Sequence, residues 1–287
     1  MCDDDIHPGL TWDPTVSRRT FGLLGAVAVG MAGTGAMAQS TAMEMEVEVP
    51  TPDGRADAVL YHPAGEGPWP GVLIWTDIMS LRPAFRLIGR RLAEAGYTVL
   101  VPNVYYRVKR APVVPDGFNY GAPGSRELIQ SFQQGLDQAA WDRDTAAYMT
   151  FLDAQAQTDK TKKAGVQGYC MGGRLTFRTA KMFSDRIGAA GSFHGGGLAT
   201  PNPDSPHLWI PEMQAELLVA VAQNDDQRDP TAKDTIKAAM EAAGRPGLVE
   251  VFAADHGWCV PGSAAYNEPE AERAWAALIE LYKRRLV

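Results

Sequence analysis

The 287-residue chain has only three cysteines and five histidines. Three cysteines are too few for a disulfide framework, and no Cys-x-x-Cys pair is present to suggest a thioredoxin-like redox motif. His, Cys, Asp and Glu nowhere gather at metal-ligand spacing. Runs of Lys and Arg are missing, and basic residues are not interleaved with aromatics. Together with a formal net charge of −7, that argues against nucleic acid as a partner. No internal repeat or low-complexity linker divides the chain, so residues 39–287 read as a single domain.

A long hydrophobic run is lacking as well. The apolar stretch at residues 24–36 is short and rich in glycine and alanine, which argues against a spanning helix. It follows Arg18-Arg19 and precedes Ala36-Met37-Ala38, the small residues that a signal peptidase needs. Residues 1–38 therefore read as a twin-arginine signal peptide cleaved before Gln39, the alternative being an uncleaved membrane anchor. Such a signal hands a folded precursor to the twin-arginine export machinery, so the mature chain is expected in a periplasm. Cys2 leaves with the signal. Cys170 and Cys259 remain, and an oxidising compartment would allow them to pair.

What the chain does have is a regular alternation of strand and helix signals. Residues 43–49 and 56–61 alternate around the turn Pro52-Asp53-Gly54 and read as an antiparallel edge hairpin. Residues 71–75 and 97–102 are continuous apolar runs, as expected of strands covered on both faces. Further strands are expected at 163–167, 187–193, 217–222 and 249–252. Helices are expected at 82–95, 141–156, 174–183, 230–243 and 268–286. This order implies a doubly wound, mostly parallel α/β sheet. Residues 103–135 are rich in Pro, Gly and Tyr with weak periodicity, and read as a long loop walling a pocket.

The most informative stretch is Gly168-Tyr169-Cys170-Met171-Gly172-Gly173, between a strand and a helix. It has the form of a nucleophile elbow with Cys in place of Ser. The glycines let strand and helix pass closely, and the helix N-terminus favours a thiolate. The alternative is a small buried cysteine in a glycine-rich turn. A Lys-Ser/Thr pair does not follow, so the glycines are not a phosphate loop. A thiol nucleophile benefits from a base, and the base from a carboxylate. His256, just past the last strand, is the candidate base; His194, which also follows a central strand, is its rival and otherwise lines the pocket. The acid should follow strand 217–222, where Asp225 comes first and Asp226 second. The order nucleophile, acid, histidine fits this fold. An oxyanion hole needs two N–H donors; one would come from Met171 and the other from the loop Thr76-Asp77-Ile78.

On Gly168-Tyr169-Cys170-Met171-Gly172-Gly173, Val104-Tyr105-Tyr106-Arg107, the Asp225 turn and His256-Gly257-Trp258, the chain resembles the dienelactone hydrolase family of α/β-hydrolases. The resemblance implies a triad of Cys170, Asp225 and His256, with Ile78 and Met171 N–H groups as the oxyanion hole. It implies opening of an ester or lactone by acyl transfer to the cysteine, without a cofactor, on a small-molecule substrate. Asp77, Arg107, His194 and Trp258 are the expected substrate-side residues. Two positions depart from the family pattern. Asp77 stands where the family has a Glu that holds and activates the thiol; a turn-forming acid is the other reading. Val260 stands where the dienelactone enzymes have the second of two carboxylate-clamping arginines. Arg107 matches the first, and either binds a carboxylate or pairs with a surface acid. The rival from another class is a thiol redox or binding protein using Cys170 and Cys259.

Replacing Arg18 and Arg19 together by Lys is expected to leave precursor in the cytoplasm, and N-terminal sequencing of the exported protein should begin near Gln39. Full-length protein starting at Met1 in the periplasm would contradict cleavage.

Overall fold

The computed structural model describes residues 42–287. The expected signal peptide lies outside the described residues. Among the described residues no helix is long and apolar enough to cross a membrane.

Strand β1 (Ala42–Thr51) and β2 (Gly54–Pro63) form the edge hairpin, closed where Thr51 pairs with Gly54. Gly54 takes a φ of 141°, which an L side chain rarely adopts. Next come β3 (Gly71–Trp75), β4 (Thr98–Pro102), β5 (Ala164–Tyr169), β6 (Ile187–Phe193), β7 (Glu216–Ala222) and β8 (Gly247–Phe252). They make one eight-stranded sheet in the order β1-β2-β4-β3-β5-β6-β7-β8. β2 meets both of its neighbours antiparallel, and every pairing from β4 onward is parallel. Every residue of β3, β4 and β5 is buried, which is why these strands are largely apolar or small rather than alternating.

The helices are α1 (Pro83–Glu94), α2 (Ser125–Gln133), α3 (Gln138–Ala154), α4 (Met171–Met182), α5 (Gln223–Arg228), α6 (Ala232–Ala242) and α7 (Glu268–Arg285). A 3-10 turn spans Pro206–Glu212. Asp137 caps α3 by accepting from Ala140 N–H at 2.8 Å, and Asn267 caps α7 through Glu270 N–H at 3.2 Å. Two hydrophobic cores result, one on each sheet face. One gathers Trp75, Tyr148 and Phe177; the other gathers Phe85, Tyr169 and Tyr282. This is the α/β-hydrolase architecture expected above, a doubly wound, mostly parallel sheet with an antiparallel N-terminal hairpin.

Two segments differ from expectation. The long loop contains α2, whose buried Ile129 and Phe132 give it an apolar face three residues apart. The flanking Pro and Gly residues mask that short signal. Residues 223–226, expected as a turn, open the one-and-a-half-turn helix α5.

Candidate active site

The elbow is built by close approach. A Cβ on Gly172 would lie 2.5 Å from the Trp75 carbonyl oxygen and 2.7 Å from that of Thr76. One on Gly168 would lie 2.1 Å from the Gly172 oxygen. Only hydrogen fits at either place, so the start of α4 can rest on the end of β3. The turn between β5 and α4 is then so sharp that Cys170 adopts φ 53° and ψ −116°. Such a conformation costs on the order of 1–3 kcal/mol and persists only where the surroundings hold it. Here the Cys170 N–H is shared between the Phe193 carbonyl and His194 Nδ1, each at 3.1 Å.

Two backbone N–H groups lie on the segments that meet there. Met171 N–H is an orphan at the first turn of α4. Ile78 follows the Trp75–Thr76 segment on which Gly172 rests. Ile78 N–H donates to no described residue, although the neighbouring Met79 and Ser80 N–H groups are both engaged.

His256 is buried beyond β8. Its Nδ1 lies 2.7 Å from Asp225 Oδ2, and its backbone N–H donates to Asn224 Oδ1 at 2.9 Å. Asp226 instead takes Lys233 at 2.6 Å. Of the two acids that the sequence offers, Asp225 is therefore the one in contact with the histidine. Burial by itself would lower the His256 pKa. The charge of Cys170 and hydrogen bonds to Asp225 and Cys170 outweigh it and push His256 up to about 10. Cys170, His256 and Asp225 thus form a linked set, in which the protonated imidazole is favoured.

The four residues expected on the substrate side make the following contacts with the rest of the chain. His194 is buried, with its ring 4.5 Å from that of His256 and 5.3 Å from that of Trp258. Burial, then the nearby His256, drive its pKa well below the usual range. It stays neutral, which leaves Nδ1 free to accept from Cys170. Trp258 is fully buried and stacks on Phe252 at 5.2 Å. Arg107 grips the buried Asp144 with two bonds of 2.7 and 2.8 Å and reaches Asp53 at 2.6 Å. Its guanidinium is spent on acids of its own chain. Asp77 is fully buried in a fork with Arg82, at 2.6 and 2.7 Å.

Sequence reasoning missed Arg82, Asn224 and the polar chain Ser80–Asn103–Asp57. One signal for Arg82 was available: it occupies the N-cap of α1, where Ser, Thr, Asp or Asn is preferred. Cys170 and Cys259 are both free thiols. Cys259 lines a separate cleft with Ile88, Tyr266 and Trp275. Among the described residues no three His, Cys, Asp or Glu side chains gather as a metal site.

Fold and elbow together define an α/β-hydrolase. Residues 56–286 match the model of the dienelactone hydrolase family, and the chain belongs to that family. It is 25% identical over 221 residues to a carboxymethylenebutenolidase of Rhodococcus opacus, covering 75% of this chain and 81% of that protein. Among solved structures, it resembles a dienelactone hydrolase-like promiscuous phosphotriesterase from metagenomic libraries. There the TM-score is 0.67 at 21% identity, covering 86% of this chain and all of the other. A dienelactone hydrolase from Anabaena variabilis matches with a TM-score of 0.58 at 16% identity, over 86% and 100% of the two chains. The protein is accordingly a hydrolase acting on ester or lactone bonds.

The His256 environment has a measurable consequence. Its folded pKa lies above the ordinary 6.5, so its contribution to stability is complete below that pH and is lost as pH rises toward about 10. In an NMR titration the His256 ring should stay protonated through neutral pH. In Cys170→Ala the first of the raising influences is gone, and the ring should titrate at lower pH. Equal midpoints in the two proteins would contradict the coupling.

Proposed function

We propose that the protein hydrolyses carboxylic esters or lactones by acyl transfer to Cys170. The observation that carries this reading is the Asp225–His256 bond of 2.7 Å beside a cysteine at φ 53°. In the first half-reaction the Cys170 thiolate attacks the acyl carbon, and the carbonyl electron pair moves onto oxygen. Ile78 and Met171 N–H groups receive that oxyanion. Collapse expels the alcohol oxygen, which takes its proton from His256. In the second half-reaction His256 draws a proton from water, the hydroxide attacks the thioester, and the thiolate leaves. Asp225 keeps His256 in the tautomer that both halves need.

The reading of substrate follows from charge. Arg107 is paired with Asp144 and Asp53, and Arg82 with Asp77. Neither is left to clamp a substrate carboxylate. The apolar cluster that contains Cys170 and Met171 also includes Tyr105, Tyr120, Ile129 and Phe132. Neutral esters and lactones with apolar acyl groups suit such walls. The twin-arginine pattern at residues 18–19 supports the further proposal that the export machinery carries the chain to a periplasm, where it acts.

Purified wild-type protein should hydrolyse p-nitrophenyl acetate. Cys170→Ala should lose on the order of a thousandfold or more in kcat/KM with its fold intact. Cys170→Ser should be much slower than wild type, because a hydroxyl needs more help from its base. Wild-type activity in Cys170→Ala would overturn the proposal.

A further inference from the structure

Arg82 has no capping bond at the start of α1, a position that usually works for its helix. Its side chain instead turns back five residues to Asp77. The pair is nearly sealed from solvent, with side-chain exposures of 8% and 0%. Both Asp77 oxygens are occupied: Oδ1 by Arg82 Nη1 at 2.6 Å and Met79 N–H at 2.9 Å, Oδ2 by Arg82 Nη2 at 2.7 Å. Arg82 Nη1 also donates to the Ser80 carbonyl at 3.3 Å, and Ser80 N–H returns to the Asp77 carbonyl at 3.0 Å. Ser80 takes a φ of 60°, which is uncommon for a side chain with a Cβ. A second set of bonds holds it there. Ser80 Oγ donates to Asn103 Oδ1 at 2.8 Å and accepts from Val104 N–H at 3.0 Å. Asn103 Nδ2 in turn donates to Asp57 Oδ1 at 2.9 Å.

Every residue flanking Ile78 is therefore pinned, while the Ile78 N–H itself donates to no described residue. We propose that the Asp77–Arg82 pair is a positioning device that aims the Ile78 N–H at the oxyanion and cancels the carboxylate charge beside it. The inference rests on the acyl-transfer reading above. Two physical requirements explain why a charged pair stands here. A backbone donor is effective only if it is already aimed where charge develops, and the Asp77 fork with Met79 N–H and Arg82 holds the loop in one shape. A bare carboxylate one residue from the oxyanion would oppose the same charge, and Arg82 answers it. With both oxygens committed, Asp77 is a positioning residue for the loop rather than a partner of the Cys170 sulfur.

Two reactions of the same sulfur separate this role from a general structural one. Acylation by p-nitrophenyl acetate passes through an oxyanion. Alkylation by iodoacetamide does not: the sulfur displaces iodide from carbon, and no carbonyl oxygen takes up charge. Arg82→Met should slow single-turnover acylation about 30-fold or more, equivalent to about 2 kcal/mol in the barrier. Alkylation at Cys170, read by peptide mapping, should stay within about threefold of wild type, and KM should change little. Asp77→Asn keeps the acceptor for Met79 N–H and should lose less, about tenfold. The double variant removes both charges and should acylate faster than Arg82→Met alone. Should Arg82→Met not fold, Arg82→Lys keeps the charge but loses the fork, and should show the same separation of acylation from alkylation. Acylation and alkylation falling together, or acylation unchanged in the variants while wild type shows Cys170-dependent hydrolysis, would overturn the role of the pair alone. Wild-type hydrolysis that does not depend on Cys170 would overturn the acyl-transfer reading and this inference with it.

Discussion

The contact between the Gly172 backbone and the carbonyls of Trp75 and Thr76 is the constraint on which the site depends. It lets the N-terminus of α4 dock on the end of β3. That docking forces the sharp turn at Cys170, leaves Met171 N–H unspent and sets the Ile78 loop beside it. The strain at Cys170 is held in place by tertiary contact: β6 supplies the Phe193 carbonyl, and the residue after it supplies the His194 ring. A side chain larger than hydrogen at Gly172 would lift the helix from the strand and separate the parts that the chemistry needs together.

Around this contact the buried charges are answered one by one. Asp77 meets Arg82, Asp144 meets Arg107 and Tyr106, and Asp225 meets His256. His194 remains neutral because a cation there would be buried next to a second one. Charges left without partners in such a setting would be costly and would distort the field at the elbow. Settled in pairs, they leave the Cys170–His256 couple as the place where the proposed mechanism moves its proton. In that arrangement both Arg82 and Arg107 are held by carboxylates of their own chain.

Much of the fold and the main contacts of the candidate site were legible in the sequence, for a physical reason. Strand-to-helix alternation, the glycine spacing of the elbow and the order of Cys170, Asp225 and His256 are all written in local patterns. Sheet topology then carries each to the same strand ends. Asp225 could be preferred to Asp226 because it comes first off β7, and the structure has it within bonding distance of His256. For Arg107 and Asp77 the sequence left two readings each and could not choose between them. The partners of Arg107 lie 37 and 54 residues away, at Asp144 and Asp53, and no periodicity reports such a pairing. His194 and Trp258 are both buried, His194 just past β6 and Trp258 two residues after His256. Helix α2 escaped notice because nine residues with few apolar positions give little periodic signal between prolines and glycines.

The central claim is that the acyl group passes through the Cys170 sulfur. Acid-quenching a reaction of the His256→Ala variant with p-nitrophenyl acetate, followed by peptide mass mapping, tests it most directly, because loss of the base slows release of the thioester. The account predicts one acetyl group, on the peptide containing Cys170 and removable by hydroxylamine. Substrate turnover with no acetyl on Cys170, or with the acetyl on another residue, would contradict it.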